Sequence, residues 1–287
     1  MAIDTDFLRE LDRFQLVLKK KVISQYQGGR QSDNVGSGLT FKDYKDYSSG
    51  DDFRQIDWKV YARTDKYYIK RYEEERNMTV HIVVDASGSM NFGKGTTKFE
   101  YASMLGLGFA YIALKENERF EFSTFSEELR PLKARKGVGH LLRILDQLQH
   151  MPVKGKSEFS RSLESYKSLI KSKSFIVILS DFLYPVKEIQ ETMSRFKGSH
   201  VLAIQVLDPI EQSFAIEGDL ILQDAESDKK MRTFITRRVQ QDYRDQMAQH
   251  TNEIAELGDG SRLTFVTVTT DMPVFDAFFD AFSRMRS

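Results

Sequence analysis

A carboxylate and two hydroxyls stand at alternate positions in the run Asp85-Ala86-Ser87-Gly88-Ser89. These are hard oxygen donors, suited to Mg²⁺, Mn²⁺ or Ca²⁺ rather than to softer metals. Gly88 in the middle lets such a loop turn sharply and approach an ion. With few carboxylates at hand, an ion held there keeps a coordination position open for water or for an acidic side chain from outside. The run directly follows Val80 to Val84, a mostly apolar stretch that reads as a strand. Two further apolar stretches, Phe175 to Leu179 and Val201 to Leu207, lead into Ser180-Asp181 and Asp208. In open α/β sheets the C-terminal ends of the strands are where ligands bind.

The elements that must position these donors follow from periodicity. Strands are expected at residues 80–84, 119–125, 175–179, 201–207 and 263–268, with a short edge strand at 129–132 that Pro131 confines to the edge. Helices are expected at residues 97–115, 139–149, 159–171, 186–197, 235–257 and 273–285, and a β-rich excursion at 213–234. Strands alternating with helices imply a doubly wound, mainly parallel sheet covered on both faces. Upstream, Phe7, Leu11, Phe14 and Leu18 share one helical face over residues 6–26, and residues 27–50 read as loop. We therefore expect an N-terminal helix and loop segment over residues 1–78, packed on a main α/β domain over residues 79–287.

Composition narrows the function. The 287 residues hold 42 Lys plus Arg and 42 Asp plus Glu, so no global field favours nucleic acid or anionic membrane. The chain has no Cys, which excludes disulfides and thiolate metal sites and suits a reducing cytoplasm. Met1 to Arg13 lacks the apolar stretch of a signal peptide, and the run Tyr101 to Leu114 is too short to span a bilayer. The expectation is a cytoplasmic protein with no membrane span. An Asp at a strand end also suits phosphotransfer through an aspartyl nucleophile. That chemistry needs a second Asp two residues on as general acid, and Ser87 stands there. No Gly-x-x-x-x-Gly-Lys-Ser/Thr loop occurs, and none of the five His residues reads as part of a Ser-His-Asp set. A non-enzymatic binding module is the expectation. A Mg-dependent phosphohydrolase using Asp85, or a scaffold with an empty metal site, is the alternative.

The Asp85 run resembles the metal-ion-dependent adhesion site of the von Willebrand factor A family, whose first motif is Asp-x-Ser-x-Ser. The second motif of that family, Gly-x-Thr followed by Ala-Leu, is similar to Gly155-Lys156-Ser157 followed by Ser162-Leu163, with Ser in place of Thr. The third, a strand then Asp-Gly, is similar to Ile178-Leu179-Ser180-Asp181-Phe182, with Phe in place of Gly. The resemblance implies a Rossmann-like fold and five metal ligands: Asp85, Ser87, Ser89, Ser157 and Asp181. It implies Mg²⁺ as the cofactor, with Mn²⁺ or Ca²⁺ acceptable, and a protein partner that supplies an acidic side chain.

Upstream, Phe41-Lys42-Asp43-Tyr44-Lys45-Asp46-Tyr47-Ser48-Ser49-Gly50-Asp51-Asp52-Phe53-Arg54-Gln55-Ile56-Asp57-Trp58 resembles the signature of a bacterial family known as domain of unknown function fifty-eight. Lys45 stands where Arg is usual, which keeps the charge and loses the bidentate fork. Members of that family are often encoded beside AAA+ ATPases of the MoxR type, which implies such an ATPase as partner and an adaptor or co-chaperone role. From the residues alone, Asp51, Asp52 and Asp57 could form a second acidic site. The reading favoured here is structural, with Asp51 and Asp52 capping a short helix and with Ile56 and Trp58 as core anchors.

Overall fold

The computed structural model describes residues 40–73, 78–132, 138–170, 174–226, 229–258 and 261–284. The helix expected at 6–26 lies outside them. The described residues divide into two compact units, residues 40–73 and residues 78–284.

In the first unit, strands β1 (Thr40–Asp46) and β2 (Tyr68–Glu73) pair antiparallel, and helix α1 (Trp58–Thr64) lies between them in sequence. Asp57 organises this unit. Its side chain caps α1 by accepting from the Lys59 and Val60 amides, and it also accepts from the Tyr44 hydroxyl and pairs with Lys70 at 2.9 Å. Ile56, Val60 and Ile69 are buried.

The second unit is built on a six-stranded sheet in the order β10-β7-β6-β3-β4-β5. Its strands are β3 (Thr79–Asp85), β4 (Arg119–Phe125), β5 (Leu129–Leu132), β6 (Ser174–Ser180), β7 (His200–Leu207) and β10 (Leu263–Thr269). All neighbours pair parallel except β5, which runs antiparallel to β4. Pro131 sits on that terminal strand, where its missing N–H costs no ladder bond. The doubly wound α/β architecture expected from the alternating pattern is therefore present. Counting from β3, the order is that of the doubly wound sheet whose winding reverses between its first and fourth strands. Here those strands are β3 and β6, so the crevice of the fold opens at the ends of Asp85 and Ser180.

Both sheet faces are covered. Helix α2 (Lys98–Lys115) begins at a capping box of Thr97 and Glu100 and runs across β3 and β4. It lies close to the sheet at Gly106, where an added Cβ would meet Phe122 and Ile82 at 3.0 and 3.1 Å. Helices α3 (Val138–Gln149) and α8 (Val274–Arg284) flank it, and Phe109 of α2 meets Phe278 of α8 with ring centroids 4.6 Å apart. On the other face lie α4 (Phe159–Lys167), α5 (Val186–Ser194) and α7 (Arg237–Glu256). Val83, Ile176, Ile178 and Ala203 of the sheet pack there against Phe159, Leu163, Ile189 and Ile254. The short helix α6 (Pro209–Ser213) follows β7, and strands β8 (Gly218–Gln223) and β9 (Lys230–Ile235) form a separate antiparallel hairpin. Among the described residues no helix is long and apolar enough to cross a membrane.

Candidate metal centre

Asp85 is the last residue of β3 and is fully buried. One carboxylate oxygen accepts from the Ser87 amide at 2.9 Å. The other accepts from the Ser180 hydroxyl at 2.7 Å and the Tyr184 hydroxyl at 2.5 Å. Burial, then the charge of Asp181, pushes the Asp85 carboxyl up to about 6, against the pull of those three donors. Among the described residues no basic side chain pairs with it.

The other donors gather at the same rim. Ser87 stands just before a short 3₁₀ turn over Gly88–Asn91 without a side-chain capping bond, and its hydroxyl lies 3.1 Å from that of Ser89. Ser157 precedes α4, and its hydroxyl is 2.6 Å from that of Tyr184. Tyr184 donates to Asp85, so the order of donation is Ser157 to Tyr184 to Asp85. The Ser157 loop is tied to the Asp85 loop by the Gly88 amide, which donates to the Gly155 carbonyl at 2.9 Å. Gly155 has a φ of 91°, a left-handed conformation that glycine adopts without strain. Gly88 is constrained differently. Its backbone is not left-handed, but an added Cβ would lie 2.3 Å from the Ala225 carbonyl oxygen. Space, rather than a sharp turn, requires glycine there.

Asp181 follows β6 and is 2% exposed. Its carboxylate accepts from the Lys98 ammonium at 3.0 Å, and its carbonyl from the Gln205 amide at 2.9 Å. Lys98 has no exposed surface and donates also to Glu211 at 2.7 Å. Burial works against its charge, but Asp181 and Glu211 outweigh it and hold the ammonium above its ordinary range. Phe182, where glycine is usual in the motif, has a φ of 51° and so keeps the left-handed backbone. Its ring is fully buried, edge-on to Phe159 and Phe265.

Hydrogen bonds thus link Asp85 through Tyr184 to Ser157 and set Ser87 beside Ser89, while the Asp181 carboxylate, engaged by Lys98, reaches Asp85 through its charge; all five side chains offer oxygen donors. That set fits a hard divalent cation. Among the described residues there is no group of three or more His, Cys, Asp or Glu placed to hold a metal, so the serine hydroxyls would have to supply ligands. Asp85 is the feature most favourable to a cation, a buried negative charge met only by neutral donors. Lys98 works the other way, since it already neutralises Asp181.

Residues 43–253 match the family described as Protein of unknown function DUF58. The chain belongs to the DUF58 family. Relatives of this DUF58 chain include the uncharacterized proteins Mb1516 of Mycobacterium bovis and Rv1480 of Mycobacterium tuberculosis. Each is 25% identical over 273 residues, covering 93% of this chain and 86% of the relative. Among solved structures, BatB from Bacteroides thetaiotaomicron aligns with a TM-score of 0.43 at 15% identity, over 73% of this chain and 98% of that one. An aerotolerance-related membrane protein from Bacteroides fragilis aligns with a TM-score of 0.45 at 16% identity, over the same shares.

The DUF58 signature segment serves the first unit's own structure. Asp51 pairs with Lys45 at 3.0 Å and accepts from the Ser48 amide, Asp52 caps the 3₁₀ turn at Phe53–Gln55, and Asp57 caps α1. Ile56 is buried as expected, but Trp58 is 55% exposed and is not a core anchor. As the first residue of α1 it points away from the small core and meets Tyr61 edge-on. Three residues of the candidate centre carry no sequence signal. Tyr184, Lys98 and Glu226, whose carboxylate accepts from the Ser157 amide at 3.4 Å, are single residues outside any motif, brought to the rim by the fold.

Proposed function

We propose that this DUF58 protein is a non-enzymatic binding module that grips a partner protein through a divalent cation. The cation, Mg²⁺ or in its place Mn²⁺ or Ca²⁺, would be held by Asp85, Ser87, Ser89, Ser157 and Asp181, as in the adhesion site of von Willebrand factor A domains. Bound there, it would offer a Lewis-acidic position to a carboxylate of the partner. The chain's own residues set the frame. Ser87 and Ser180 fix the Asp85 carboxylate, Tyr184 links it to Ser157, and Lys98 holds Asp181 in place.

The observation that carries this reading is the fully buried Asp85 carboxylate with neutral donors and a second carboxylate nearby. Burying a charge without a counter-ion is costly, and a cation offsets that cost. The family resemblance points to a MoxR-type AAA+ ATPase as the partner, with this protein as adaptor or co-chaperone. The test has two steps. Calorimetry should detect Mg²⁺ or Mn²⁺ binding to the wild type and none to Asp85→Ala. Capture of the ATPase should then need Mg²⁺ and fail with EDTA or with Asp85→Ala. Equal capture in EDTA would reject metal-dependent binding.

A further inference from the structure

The rim is covered on one side by the chain itself. Among the described residues, strands β8 and β9 pair only with each other, outside the six-stranded sheet. At the start of their turn, Asp224 accepts from the Glu226 amide at 2.8 Å. Ala225 and Glu226, which follow Asp224 in that turn, lie on two of the three loops of the candidate centre. The Ala225 carbonyl occupies the space above Gly88, and the Glu226 carboxylate accepts from the Ser157 amide at 3.4 Å. A glutamate carboxylate held at the Ser157 loop is chemically what an acidic partner would present.

The hairpin is also lightly held. Ile221, Met231 and Phe234 are each at least 60% exposed, and Ile235 is the one residue of its strands that is buried. A two-stranded ladder is marginal alone, and weakly packed segments open at low free energy.

We propose that the β8–β9 hairpin carries an internal ligand, with Glu226 occupying the approach that a partner's carboxylate needs, so that partner binding requires the tip to be displaced. This rests on the cation-mediated reading above. It adds that the site is self-occupied and that its occupant is an acidic side chain on a β-turn.

The test uses the full chain loaded with Mn²⁺ and propionate, the end of a glutamate side chain, as probe. Water-proton relaxation of the bound Mn²⁺ follows propionate binding. If the tip is closed about 90% of the time, Glu226→Ala should lower the half-saturating propionate concentration about tenfold. In the wild type, propionate with Mn²⁺ should raise hydrogen exchange at residues 224–226. Equal half-saturation in wild type and Glu226→Ala, or tip exchange indifferent to propionate, overturns the internal ligand while leaving cation binding intact. Mn²⁺ titrations identical in wild type and Asp85→Ala would instead remove the cation reading, and this proposal with it.

Discussion

Two single residues decide how the candidate centre balances charge and strain. Lys98 is a buried ammonium shared by Asp181 and Glu211, with no surface exposed. Removing one partner of a buried ion pair leaves charge uncompensated and costs about 3–5 kcal/mol. Lys98→Met should therefore lower the denaturation midpoint in EDTA. It should also make the rim more negative, so Mn²⁺ should stabilise the variant more than the wild type. An equal metal-induced shift in both proteins would mean that Lys98 and the cation do not compete for Asp181. Phe182 sets a different balance. A non-glycine residue in the left-handed region costs about 1–2 kcal/mol, whereas emptying a buried phenylalanine site costs about 3–5 kcal/mol. The ring packs against Phe159 and Phe265, so packing wins. Restoring the glycine common to the motif, Phe182→Gly, should destabilise the protein by about 1–4 kcal/mol in urea unfolding. A gain in stability would show that strain, not packing, dominates there.

At the scale of elements, the central sheet was legible in the sequence and the hairpin's role was not. Strands β3, β6 and β7 read as near-continuous apolar runs because both their faces are covered, and β4 carries the expected bounds Arg119–Phe125. Asp85 and Asp181 were visible because each follows such a run. Glu226 was not, because an acidic residue in a polar turn has no periodicity to distinguish it from any solvated turn residue. What connects it to the centre is tertiary, the meeting of the β8–β9 turn with the Gly88 and Ser157 loops. Gly88 reports on that meeting. The atom an added Cβ would strike, at 2.3 Å, is a backbone carbonyl and cannot rotate away, so the hairpin tip must move. Gly88→Ala should cost about 1–3 kcal/mol. Hydrogen exchange should rise at residues 224–226 while the strands of the central sheet keep their protection. Unchanged tip exchange would show that the hairpin does not rest on this loop.

At the scale of the whole chain, equal numbers of basic and acidic residues leave no net field, so pH acts through particular buried groups, and in the second unit two of them pull in opposite directions. His81 lies in β3, 3% exposed, with Nδ1 2.8 Å from the Tyr166 hydroxyl. Burial lowers its imidazole to about 4. Glu121 stands 3.5 Å away but is half-exposed and does not offset the burial. Between pH 6.5 and 4 the unfolded chain takes up a proton at His81 that the folded chain refuses, so this group removes stability as pH falls, by about 3 kcal/mol in all. Asp85 is the reverse case. Its folded carboxyl, raised to about 6, binds a proton before the unfolded one does, so between pH 6 and 4 it adds stability as pH falls. Difference curves against wild type in EDTA separate the two. Relative to wild type, His81→Gln should gain stability steadily from pH 6.5 down to 4. Asp85→Asn should lose ground over the window from pH 6 to 4, because the wild type recovers there the cost of burying its carboxylate. Asp57 in the first unit stays out of this window. Its carboxyl is held down to about 2, chiefly by Lys70, so the stability it confers is lost only below about pH 4. Urea midpoints measured at half-unit steps from pH 7 to 3.5 give both curves. Slopes of the same sign for His81→Gln and Asp85→Asn would contradict the assignment of a neutral buried imidazole and a strained buried carboxylate to the same strand.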